Sequence, residues 1–197
     1  MDVVTISRQM GSWGSVVARL VAERMNYRLV WRELINQAAL RAGAPEVALA
    51  VIDELGLLGV NPSMRQQQDY VHAIGQVLHE LADGGRVVIV GRAGQVVLHT
   101  HPRVLHVRIV ASDADRIQRV SEEKNVSFKA AEAQIRASDR TRKLYLSRYY
   151  QADWEDASLY HLVLNTSWLP CRAAAELICH TLLLDLEHQK THSTGEV

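Results

Sequence analysis

Five short stretches rich in Val, Ile and Leu punctuate the chain, at Val3 to Ser7, Arg28 to Val30, Arg86 to Val90, Val104 to Val110 and Leu159 to Leu164. They run as near-continuous apolar segments rather than alternating with polar residues. That is the pattern of strands buried on both faces, and helical stretches separate most of them. The pattern predicts a parallel sheet covered by helices on both sides, with right-handed crossovers. After the first stretch, Val16, Val17, Leu20, Val21 and Met25 recur at helical spacing and predict a helix with that stripe against the sheet. Residues 31–84 carry no strand pattern. Their helical segments are broken by Gly43-Ala44-Pro45 and Gly59-Val60-Asn61-Pro62-Ser63, and so long a connection predicts a helical subdomain. A second helical excursion is expected over about 121–153, a closing helix over about Pro170 to Leu186, and a frayed polar tail over 188–197.

Composition narrows the picture. A chain of 197 residues with 48% hydrophobic content can bury one good core and is short for two. A single domain is expected, its core from about 1–30, 85–120 and 158–187, with the helical segments as inserts. Lys plus Arg and Asp plus Glu balance at 22 each, so bulk charge calls for neither nucleic acid nor membrane as a partner. No apolar run approaches the roughly 20 residues of a membrane span, and the first residues lead straight into a strand, which together predict a cytoplasmic protein. Cys171 and Cys179 lie too far apart along one predicted helix for a disulfide, and read as structural thiols. Nothing in the sequence sets the oligomeric state.

The junction of the first strand and first helix is where a phosphate-binding loop sits in such a sheet. A Walker loop, Gly-x-x-x-x-Gly-Lys-[Ser/Thr], laid on Arg8 to Ser15 puts Arg8 and Trp13 at the glycines and Gly14 at the lysine, and retains only Ser15. The amides of Gly11, Ser12 and Gly14 could still face an anion from a helix N-terminus. The lysine that would reach the β- and γ-phosphates is missing.

Ile6-Ser7-Arg8-Gln9-Met10-Gly11-Ser12, then Asn26-Tyr27 and Arg32-Glu33-Leu34-Ile35, resemble the cytidylate kinase-like family, whose members open with an Ile-Ser-Arg-Gln-x-Gly-Ser-Gly-Gly loop. In the same order follow Val87-Val88-Ile89-Val90-Gly91-Arg92, Ser138-Asp139-Arg140-x-Arg142-x-x-Tyr145, Asp153-Trp154 and Tyr160 to Ser167. The resemblance implies an α/β P-loop NTPase-type three-layer sandwich, its five parallel strands ordered second, third, first, fourth, fifth. It further implies an acceptor-binding helical insert and a helical lid over the donor phosphates. The implied activity is γ-phosphoryl transfer from ATP, with Mg2+, to a small-molecule nucleotide, a nucleoside monophosphate or related acceptor. A nucleotide-binding or regulatory module that kept the fold and lost the chemistry is the alternative.

Several residues could carry that chemistry. Arg8 can replace the missing lysine, since a guanidinium grips phosphate oxygens bidentately, or it can pair with a carboxylate at the sheet edge. Arg140 and Arg142 are lid candidates for clamping phosphates. The plainer reading is a solvated helix face, with Glu132–Arg136 and Asp139–Lys143 as i,i+4 pairs. Arg116 and Arg119, leading into the lid, are candidate donor-nucleotide contacts; Arg32 and Arg92 are implied acceptor contacts. Ser15 can hold the metal or cap its helix. Three departures from the pattern stand out: Gly91-Arg92-Ala93 where cytidylate kinases have Gly-Arg-Asp, no acidic residue at the end of the third strand, and Trp31 where the family has aspartate. Trp31 can stack on a base or pack in the interior, and Trp13 either narrows the loop or folds outward.

Overall fold

A computed structural model of the chain describes residues 1–31 and 63–193. The order is β1 (Val3–Arg8), α1 (Gly14–Met25), β2 (Arg28–Val30), α2 (Met64–Gly84), β3 (Val87–Val90), α3 (Gly94–Val97), β4 (Val104–Val110), α4 (Asp113–Lys124), α5 (Phe128–Tyr150), a 3-10 turn (Ala157–Leu159), β5 (Leu162–Asn165) and α6 (Cys171–Ser193). The five strands form one parallel sheet in the order β2-β3-β1-β4-β5, as expected.

Successive strand residues point to opposite faces, and the apolar runs therefore feed two cores. Val3, Val87, Ile89 and Val104 pack with Tyr70, Ile74 and Leu78 of α2 on one face. Val4, Ile6, Val88, Val90, Leu105, Val107 and Ile109 pack with α1 and α6 on the other. Continuous hydrophobic strands are thus what a sheet covered twice requires. Residues 64–84 of the expected insert form α2, which belongs to this covering layer; residues 32–62, with Arg32, lie outside the described residues.

Two elements differ from their sequence pattern. On α1 the buried face is Gly14, Val17, Ala18, Val21 and Ala22, while Val16 is exposed. Gly14, Ala18 and Ala22 form an i,i+4 row whose small size lets the helix approach closely, and a reading confined to large apolar residues misses it. The last strand starts at Leu162 rather than Leu159, because the Asp156 carboxylate accepts from the Ser158 amide and closes a 3-10 turn over residues 157–159. Both cysteines lie on α6, as expected, and are free thiols. No helix among the described residues is long and apolar enough to cross a membrane.

Candidate functional site

Arg8 is the last residue of β1, and its side chain runs through space that two glycines leave open. A Cβ on Gly14 would collide with the Cβ of Arg8, and one on Gly91 would sit 3.0 Å from Arg8 Nη1. The guanidinium therefore passes the first turn of α1 and ends at the carboxyl edge of β3. There it lines a cleft of about 600 Å³, open mouth included, with Ser7, Gly91, Arg92, Ala93, Gln95, Thr141, Arg142, Tyr145, Leu146 and Trp154. Three arginines from three parts of the chain, Arg8, Arg92 and Arg142, meet here. Ligand sites of open α/β sheets form at this edge, outside the carboxyl ends of the strands.

The turn holding Arg92 is left-handed throughout, with φ of 87° at Gly91, 55° at Arg92 and 55° at Ala93. Two consecutive non-glycine residues in that region cost on the order of 1–3 kcal/mol each and persist where the surroundings impose them. The conformation lays the Arg92 guanidinium over the Tyr145 ring, 5.6 Å from its centroid, and leaves Arg92 Nε buried with no hydrogen-bond partner among the described residues. Burial holds the hydroxyl of Tyr145 well above the usual tyrosine range and pushes Tyr150 up to about 12.

Trp154, from the Asp-Trp pair, is buried. Its indole N–H donates to Ser7 Oγ at 2.8 Å, and its carbonyl accepts from Arg108, whose guanidinium lies 4.6 Å over its ring. The sequence marks Ser7 and Trp154 only as members of the Ile-Ser-Arg-Gln and Asp-Trp motifs, and Arg108 only as an arginine at a buried position of the apolar run Val104–Val110.

The loop itself departs from expectation at several points. Ser12 is fully buried and turned inward: its amide and hydroxyl both donate to the Gln9 carbonyl, at 3.4 and 2.8 Å, so its N–H closes a turn instead of facing an anion. Gly11, at φ 77°, is glycine because a Cβ would meet the Arg116 carbonyl oxygen at 2.8 Å. Gly14 is buried at the start of α1, and Trp13, at φ 55°, is the N-cap. Ser15 is thus the second helical residue, half-buried, and not the cap. Trp13 folds outward, half exposed, onto Arg119, whose guanidinium carbon lies 3.8 Å from the ring centroid. Arg119 also donates to the carbonyls of Gly11 and Thr166. The Thr166 hydroxyl in turn donates to the Ser12 carbonyl at 2.8 Å, so the Asn-Thr-Ser segment after β5 ties down the loop.

Arg116, expected as a nucleotide contact, is instead a buried strut, 1% exposed. Its Nε donates to the Met10 carbonyl (2.8 Å), Nη1 to Asp113 (3.1 Å) and Nη2 to Asp139 (2.6 Å). On α5 the Glu132–Arg136 pair forms at 2.6 Å, but Asp139 pairs with Arg116 and Arg142 rather than Lys143, which reaches Glu155 at 2.6 Å. Arg142 lines the cleft; Arg140 points to solvent and does not. Trp31 packs against the apolar cluster between the sheet, α1 and α6, so the packing reading holds there.

The sheet order, the loop between β1 and α1 and the helices on both faces define an α/β domain with the P-loop NTPase-type fold. Residues 3–168 match the sequence profile of the cytidylate kinase-like family, and the chain belongs to that family. A cytidylate kinase of Pyrobaculum neutrophilum is 30% identical over 187 residues, covering 92% of this chain and 95% of the relative. Among solved structures, an uncharacterized protein from Eubacterium ventriosum superposes with a TM-score of 0.74 at 22% identity, covering 92% of this chain and 98% of that one. A gluconokinase from Sinorhizobium meliloti superposes with a TM-score of 0.53 at 14% identity and 96% coverage of each. Both structures share the fold.

Proposed function

We propose that the protein is a phosphotransferase that moves the γ-phosphoryl group of ATP to a nucleoside monophosphate or a related phosphate-bearing acceptor. The observation that carries this reading is the convergence of Arg8, Arg92 and Arg142 on one cleft beside the β1–α1 loop. Phosphoryl transfer asks little covalent help of a protein. It requires aligned phosphates and fixed positive charge where negative charge develops.

The residues present fit the phosphates of a nucleotide. A guanidinium led past two glycines into the cleft, and a buried Arg92 Nε with no hydrogen-bond partner among the described residues, suit phosphate oxygens as acceptors. Arg8 takes the part of the missing lysine, and the α1 N-terminus at Gly14 and Ser15 adds favourable dipole. Arg92 faces the acceptor's phosphate, and Arg142 on α5 closes over the group in transfer. Ser15 is the residue that would hold Mg2+ entering with ATP, and the ion would supply charge neutralisation there.

A binding module without transfer is a second reading, favoured by one observation: among the described residues the cleft lining contains no carboxylate to orient a metal ion. Calorimetry with ATP and Mg2+, followed by turnover on a panel of nucleoside monophosphates, separates the two. Arg8→Ala is expected to lose on the order of 1.5–3 kcal/mol of ATP binding, and Arg8→Lys less, because lysine keeps the charge without the fork. Equal affinity in wild type and Arg8→Ala removes Arg8 from the site. ATP binding with no transfer to any acceptor favours the module.

A further inference from the structure

Arg142 reaches the cleft with a carboxylate behind it. Asp139, one helical turn earlier on α5, is held from below: its Oδ2 accepts from Arg116 Nη2 at 2.6 Å, while Arg116 Nε grips the Met10 carbonyl in the β1–α1 loop. The other oxygen, Oδ1, lies 3.7 Å from Arg142 Nη1, beyond hydrogen-bond reach, and is buried without a hydrogen-bond partner among the described residues. The joint is tight as well as charged, because Gly11 packs so closely on the Arg116 backbone that no side chain fits between loop and helix.

We infer that Asp139, held by Arg116, is a positioning residue that aims Arg142 into the cleft and links its aim to the β1–α1 loop. This rests on the phosphotransferase reading above. A buried acceptor oxygen left unpaired costs free energy; Arg142 Nη1 already donates to Ser138 Oγ at 2.5 Å, and a short shift toward Asp139 Oδ1 would give the same guanidinium a charged acceptor as well. The loop that receives phosphate and the helix that carries the clamping arginine are thereby joined through the Arg116 guanidinium, beside the packing of Met10 on the cluster of Val120, Ala131 and Ile135. Movement at Met10 is transmitted to Asp139, and so to Arg142.

The sign of the expected effect distinguishes positioning from plain electrostatics. Removing a carboxylate beside an anion site ordinarily tightens anion binding. Positioning predicts the opposite. Asp139→Asn should weaken ATP binding, measured by calorimetry with Mg2+, by roughly tenfold, about the size of one charge-assisted hydrogen bond. Arg142→Met should weaken it similarly, and the double variant should bind no more weakly than Arg142→Met alone, since the two act as one unit. Unchanged or tighter binding in Asp139→Asn, or losses that multiply in the double variant, overturns the inference. Should Asp139→Asn fail to fold, Asp139→Glu keeps the charge for Arg116 but moves the carboxylate by one methylene. It should bind ATP several-fold more weakly at an unchanged melting temperature, and unchanged binding again overturns the inference. Wild type that binds ATP in an Arg8-dependent way while the Asp139 variants bind normally sinks this inference alone; wild type that ignores ATP sinks the phosphotransferase reading and this inference with it.

Discussion

Arg8 and Gly14 are a matched pair. A lysine at position 14 would need its Cβ where the Cβ of Arg8 already lies, so the arginine at the strand end and the glycine at the helix start exclude the standard loop lysine. Writing lysine back at Gly14 would therefore distort the loop, and widening Trp13 to glycine would not relieve it. Even Gly14→Ala is expected to destabilise the protein by about 1–3 kcal/mol, the usual cost of overpacking a filled site. Urea unfolding measures it, and an unchanged midpoint would mean that Arg8 can move aside at no cost. At this scale the sequence was informative where a residue's place on the fold decided its position: Arg8 at a strand end, Arg92 after Gly91 and Arg142 on α5 all line one cleft. It misled where a partner decided. Nothing near Arg116 in the chain says that Asp139 will cap its guanidinium, and Ser7, Arg108 and Trp154 find each other only across three separate elements.

The helices show which local signals carry structure. Ser112 and Ser127 cap α4 and α5 by accepting from the amides of Asp115 and Ala130, the expected work of a serine ahead of a helix. Asn26 and Asn125 end α1 and α4 in the left-handed conformation that asparagine tolerates. Trp13 at the start of α1 offers no such signal: it makes no side-chain cap, and its ring instead stacks on Arg119. Since α5 is long and carries Arg142, its first turn is a useful place to probe. Ser127→Ala should lower stability by about 1 kcal/mol. Thermal melts in which Ser127→Ala matches wild type would show that the Phe128 end of the helix is held by something other than its cap. The strands were legible because doubly buried strands need continuous apolar runs; the start of β5 was not, since Leu159 looks like strand until Asp156 folds it into a turn.

Across the whole molecule, acid should act through the centre of the sheet. His106 on β4 is buried, accepts from the Thr5 hydroxyl of β1 at 2.7 Å through Nδ1, donates to the Leu98 carbonyl and stacks on His161. Burial, aided by the neighbouring His161, pushes it down to about 4 from an ordinary 6.5. The folded protein therefore keeps His106 neutral while the unfolded chain takes up a proton near pH 6.5. Its contribution is fully present above about pH 6.5 and is lost as pH falls toward 4, by on the order of 3 kcal/mol. Urea midpoints at about pH 7.5 and about pH 4.5 test this, and His106→Gln should flatten that part of the slope. An acid slope unchanged in His106→Gln would assign the loss to other groups.

The sheet order also governs how the chain reaches its native state. Val3 of β1 lies between Val87 of β3 and Val104 of β4, so the central strand is translated long before either neighbour. At about 5–20 residues per second, the ribosome takes on the order of 5–20 seconds to supply those flanking strands. For that interval Val3, Val4 and Ile6, all buried in the finished protein, stand on a strand with two open edges. The nascent chain is therefore most open to mispairing at its edges before the arginine cleft exists.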